Sequence, residues 1–146
     1  MNTRTAKLLP ICHKEAGNLN SLLVCGGAAN VGLIGYLAAT RTLTEFGEDV
    51  GIYSLPAIAN KIPRQMAMVK RIPLIIVIDG CHNRRVSKIL DRLGIRYDTY
   101  VNLEDLGIKK LGPFTTLKHS QEDLEKVYLV LTSRIKNLLN KHGETP

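Results

Sequence analysis

The sequence predicts an α/β domain, a three-layer open parallel sheet of about four strands in the order 2-1-3-4 with helices on both faces. Three observations predict it. Short aliphatic runs alternate with longer helical patterns, as a parallel sheet with right-handed crossovers requires. The run Leu74 to Ile78 is unbroken aliphatic sequence, which reads as a strand buried on both faces inside a parallel sheet. Glycine pairs with small or acidic residues, Gly26-Gly27 and Asp79-Gly80, end the two most apolar runs and turn the chain into helices. The arrangement is doubly wound, Rossmann-like (flavodoxin-like). Its ligand crevice is expected between strands 1 and 3, beyond their carboxyl ends.

The elements follow in order. Residues 1–20 contain Pro10 and Gly17 and read as an N-terminal arm. Ser21 to Cys25 is the first strand. Asn30 is the expected N-cap of a helix from Val31 to about Phe46, ended by Gly47. Leu22 to Ala39 is almost wholly apolar, but Gly26-Gly27 would weaken a membrane helix there, whereas strand, turn and helix account for both glycines. No membrane partner is expected. Asp49 to Leu55 is the second strand, Pro56 opens a loop, and Pro63 starts a short helix to about Lys70. After the strand Leu74 to Ile78, a helix from about Asn83 to Leu93 carries Val86, Ile89, Leu90 and Leu93 on one side and stops at Gly94. Arg96 to Leu103 is a shorter fourth strand, placed at the sheet edge. Residues 104–116 read as irregular. Ser120-Gln-Glu-Asp123 opens a last helix, residues 120–142, with apolar residues at helical spacing from Leu124 to Leu139.

A length of 146 residues suits one domain spanning 1–146, and 45% hydrophobic with 23% charged residues is a globular composition. Two Phe, five Tyr and no Trp imply an aliphatic core. The net charge of +7 is spread along the chain, and no stacking aromatics interleave with its basic clusters, so nucleic acid is not expected. Three cysteines, Cys12, Cys25 and Cys81, make no disulfide framework and follow no secretory leader; a reducing cytoplasm is the expected compartment.

The chemistry gathers at the ends of strands 1 and 3. Cys25 ends one, Asp79-Gly80-Cys81-His82 follows the other, and each loop opens a helix whose free amides favour a thiolate or a bound anion. The thiols can serve as metal ligands, as a redox pair, or as small residues beside an anion. For a metal, His82 can join Cys25 and Cys81, and Cys12 or His13 can complete a tetrahedron if the arm folds over the crevice, a set that zinc accepts. For a small anion, Arg84 and Arg85 are the candidates, with Gly26, Gly27 and Asn30 in the facing turn. Asp79 can orient a ligand or cap a turn. Phosphatase chemistry of the Cys-x5-Arg kind is excluded, because Val31 and Ser87 stand where the arginine is needed. The glycines lack the Gly-x-Gly-x-x-Gly register and a P-loop lysine, and there is no nucleophile elbow. No reaction is assigned.

Cys25-Gly-Gly-Ala-Ala-Asn-Val-Gly32 before a helix, Ile-Ile-Val-Ile-Asp79-Gly80-Cys81, Leu-Gly-Ile95 and Asp105-Leu-Gly-Ile108 together resemble the DGC-domain family over about residues 22–108. That resemblance implies a zinc-related site. The family pattern is Cys-x-x-Cys-x-Asn in the first loop and Asp-Gly-Cys-x3-Cys in the second, with four cysteines proposed to chelate zinc. Here Ala28 and Arg85 stand at two of the four positions. Replacing an ionised thiolate by a guanidinium changes the local charge by about two units. Either His82 and the Cys12-His13 pair substitute, or Arg85 favours an anion.

Overall fold

The computed structural model describes residues 19–27, 29–111 and 117–143. Four strands, β1 (Asn20–Val24), β2 (Val50–Ile52), β3 (Ile75–Asp79) and β4 (Thr99–Asn102), form one parallel sheet in the order β2-β1-β3-β4. Among the described residues, five helices accompany them: α1 (Asn30–Phe46), α2 (Leu55–Ala59), α3 (Pro63–Val69), α4 (Arg85–Leu93) and α5 (Gln121–Gly143). The predicted architecture and strand order are those observed. Among the described residues, no helix is long and apolar enough to cross a membrane.

Period-two alternation along buried strands builds two aliphatic cores. Leu22, Val24, Ile76, Ile78 and Val101 face α1 and α5, meeting Ile34, Ala38, Val127, Leu131 and Ile135. Leu23, Ile75 and Val77 face the other way, against Ile58, Val69, Ile72, Val86 and Leu90. Every residue of β3 is buried, the direct consequence of its aliphatic run being covered on both sides. Across the first face, Arg41 of α1 pairs with Glu125 of α5, and the Tyr128 hydroxyl donates to Glu45 at 3.1 Å.

Register positions the site. Val24 lies beside Ile78, and Cys25 continues the ladder by donating its backbone N–H to the Ile78 carbonyl at 2.9 Å. Asp79 lies beside Asn102 across the β3–β4 pair.

Several local readings are corrected. The Pro56 region is helical, not a loop, because Ser54 accepts the Ala57 N–H at 3.4 Å and the proline occupies the first turn. The helix after β3 begins at Arg85 instead of Asn83, since Arg84 takes a left-handed conformation (φ 51°) that a right-handed helix cannot include. Strands 2 and 4 are shorter than predicted, each an edge strand with one neighbour. Ala29, not Asn30, occupies the N-cap of α1, in extended backbone. Asn30 is the first helical residue, and its side chain has another task.

Candidate functional site

The loop between β3 and α4 is held by side chains that arrive from three directions. Asp79 is 1% exposed, and its carboxylate accepts from the backbone N–H of Val86 (2.9 Å), the N–H of Ser87 (3.2 Å) and the Tyr100 hydroxyl (3.1 Å). It therefore caps the helix across the loop, satisfying two first-turn amides of α4 that have no intrahelical acceptor. Asn102 closes the other side, donating to the Cys81 carbonyl at 2.9 Å. Gly80 passes so near the start of α1 that an added Cβ would lie 3.1 Å from the backbone of Val31. Asp79 thus orients the loop itself.

The facing turn, from β1 to α1, is built differently. Gly26 and Gly27 are exposed, and Gly32 allows the first turn of α1 to approach Gly27 closely, a Cβ there falling 3.0 Å from the Gly27 oxygen. Asn30, 3% exposed, reaches out of this turn. Its amide donates to the Lys109 carbonyl at 2.9 Å, and its carbonyl oxygen accepts the Leu111 N–H at 2.8 Å. One carboxamide therefore fixes the peptide on both sides of Lys110. The Lys110 ammonium comes to 3.7 Å from the Cys81 sulfur.

Between the two turns lies a hollow of about 230 Å³, bordered by Cys25, Gly27, Cys81, Arg85 and Lys110. The predicted convergence of Cys25 and Cys81 is present, and Arg85 faces them across Gly27. Cys25 is half-buried and Cys81 buried, both as free thiols. Burial pushes the Cys25 thiol up from its ordinary value, with Asp79 and Cys81 adding to the effect; a backbone hydrogen bond from Gly80 and the Arg85 charge pull against it. Cys25 accordingly stays protonated near neutral pH.

Arg84 and His82 do not join this hollow. The left-handed backbone at Arg84 sends its guanidinium over the Tyr100 ring, 5.0 Å from the ring centre. His82 is exposed and stands between two carboxylates, Nδ1 at 2.6 Å from Glu104 and Nε2 at 2.9 Å from Asp105. The Asp105 hydrogen bond raises its pKa above the usual imidazole value, with the charges of both acids contributing. Cys12, His13 and Ala28 lie outside the described residues.

The donor set can be tested against zinc. Two thiols reach the hollow, one of them favouring its protonated form, while Arg85 and Lys110 bring positive charge to the same space. Among the described residues, no group of three or more His, Cys, Asp or Glu side chains is placed to hold a metal ion. Two cations beside two thiols do not fit a four-coordinate zinc centre. The donor set of the described residues is instead suited to an anion.

Lys110 is the residue that sequence reasoning missed. Its signal was the Lys109-Lys110 pair just past Asp105-Leu-Gly-Ile108, but nothing in that pair tells which lysine turns inward. The Asn30 clamp decides it.

The DGC domain family model matches residues 21–130. This chain belongs to the DGC-domain family. Among curated proteins and solved structures, none matches. The matched span contains both turns, the Asp-Gly-Cys element and Lys110, so the hollow lies wholly within the DGC domain. Arg85 also lies within the matched span.

Proposed function

We propose that this protein is a single-domain, non-catalytic binding module of the DGC family, spanning residues 1–146, whose crevice between β1 and β3 holds a small oxyanion such as phosphate or sulfate. The observation that carries this reading is that Arg85 and Lys110 border the same small hollow as the two thiols. Arginine gives a planar pair of donors that matches an oxyanion, and the lysine adds a point charge. Gly26 and Gly27 leave the backbone of the facing turn open to a ligand, and Asn30 acts through Lys110. Free thiols suit a reducing cytoplasm, and a hollow of this size suits a small ligand rather than nucleic acid.

Calorimetric titration of inorganic phosphate tests the proposal. Wild-type protein should bind it saturably, and Arg85→Ala with Lys110→Ala should weaken binding by about 100-fold, the worth of two charge-assisted contacts. Undiminished binding by the double variant would remove the proposal.

A metal-binding reading is favoured by one observation, the arrival of Cys25 and Cys81 from separate loops at one hollow. Under it, zinc would need Cys12 and His13 to complete its ligand set. Elemental analysis of protein purified without chelator tests it: near one zinc per chain, lost in Cys25→Ser and Cys81→Ser, would establish that site.

A further inference from the structure

The hollow does not end at the cations. Gly26 borders it and also borders a second, larger groove of about 600 Å³ that runs toward the β2 side of the sheet. A Cβ built on Gly26 would meet nothing within 4 Å among the described residues, so no side chain stands on Gly26 to divide the two. The second groove has a different chemistry. Tyr36, Tyr53, Ile52, Leu55 and Pro56 line it, and among the described residues no charged one does. Tyr36 is 47% exposed on α1, an aromatic ring turned to solvent in a chain with few aromatics. A cationic pocket thus opens directly onto an uncharged groove flanked by two tyrosines.

We propose that the ligand is a phosphomonoester, with its phosphate between Arg85 and Lys110 and a planar or apolar body lying over Gly26 in the groove between Tyr36 and Tyr53. The inference rests on the anion reading and names the ligand class. Charge at one end and aromatic surface at the other match the two halves of such a molecule: the cations bind any phosphate, and the groove supplies the preference for the ester over free phosphate. In doubly wound sheets, ligands extend along the carboxyl ends of the strands at the switch point, and the two hollows share that line from β3 across β1 to β2.

The experiment compares inorganic phosphate with phenyl phosphate, titrated into wild-type protein, Tyr36→Ala and Arg85→Ala. Wild-type protein should bind phenyl phosphate about tenfold more tightly than phosphate. Tyr36→Ala should erase that advantage while leaving phosphate affinity unchanged, and Arg85→Ala should weaken both ligands alike. Equal wild-type affinity for the two ligands would overturn the phosphomonoester inference and leave the anion site standing. So would an advantage that survives Tyr36→Ala. Failure of both ligands to bind would overturn the anion site and this inference together.

Discussion

The two turns that face each other across the crevice are built on opposite principles. After β3, the chain is fastened by side chains: Asp79 caps α4, Asn102 holds the Cys81 carbonyl, and His82 bridges Glu104 and Asp105. After β1, the turn is glycine, and the Cys25 thiol is met by backbone groups, the Gly26 carbonyl at 3.8 Å and a hydrogen bond from Gly80. One side is scaffold, and the other is bare backbone that a ligand can approach. The difference shows how a small domain keeps a rigid site open. Polar side chains are spent on one loop and withheld from the other, and Asn30, the exception, leaves its turn to fix Lys110.

The sharpest break in this comparison comes from the matched ends of β1 and β3. Asp79→Ala should cost about 3 kcal/mol in urea denaturation, because two backbone amides and the Tyr100 hydroxyl lose their acceptor in a buried place. Cys25→Ala should cost about 1 kcal/mol, the worth of a half-buried sulfur. Equal costs would mean that the two turns share the load. Next comes the glycine pair within the bare turn. Gly32→Ala places a methyl 3.0 Å from the Gly27 oxygen and should destabilise by about 2 kcal/mol, whereas Gly26→Ala meets nothing and should change stability by less than about 0.5 kcal/mol.

Much of this was legible from the residues. An unbroken aliphatic β3 requires cover on both faces, and the strand order then brings Cys25 and Cys81 together. Arg84 and Arg85 were not separable, because their divergence depends on one left-handed φ angle and not on any pattern of residue types. His82 read as a third ligand for want of knowing that Glu104 and Asp105 would claim both its nitrogens. Asn30 read as a cap because its partners lie some 80 positions onward, and only the folded sheet brings that segment back to the start of α1.

Smaller effects sharpen the electrostatic half of the account. In Cys12→Ser, Cys81→Ser protein, Cys25 should be alkylated more slowly than an ordinary exposed thiol at pH 7, its rate rising only above the usual thiol range; burial, the dominant cause, remains in that variant. A rate like that of a free thiol at neutral pH would contradict the raised pKa. The smallest effect belongs to the His82 bridge. Because its folded pKa lies above the ordinary value near 6.5, its stabilisation is full below that value and is lost as pH rises through the folded pKa. Exposure keeps the effect slight. The difference in thermal stability between wild type and His82→Gln should shrink between pH 6 and pH 8; a difference that grows with pH would reverse the assignment.

The central claim is that Arg85, with Lys110, gives this crevice an anion in place of the metal that a four-cysteine set would hold. The most direct measurement is a parallel titration of phosphate and zinc, under reducing conditions, into wild-type protein and an Ala28→Cys, Arg85→Cys variant. The account predicts that wild-type protein binds phosphate and not zinc, and that the variant reverses both. Stoichiometric zinc on wild-type protein, with no saturable phosphate, would contradict it.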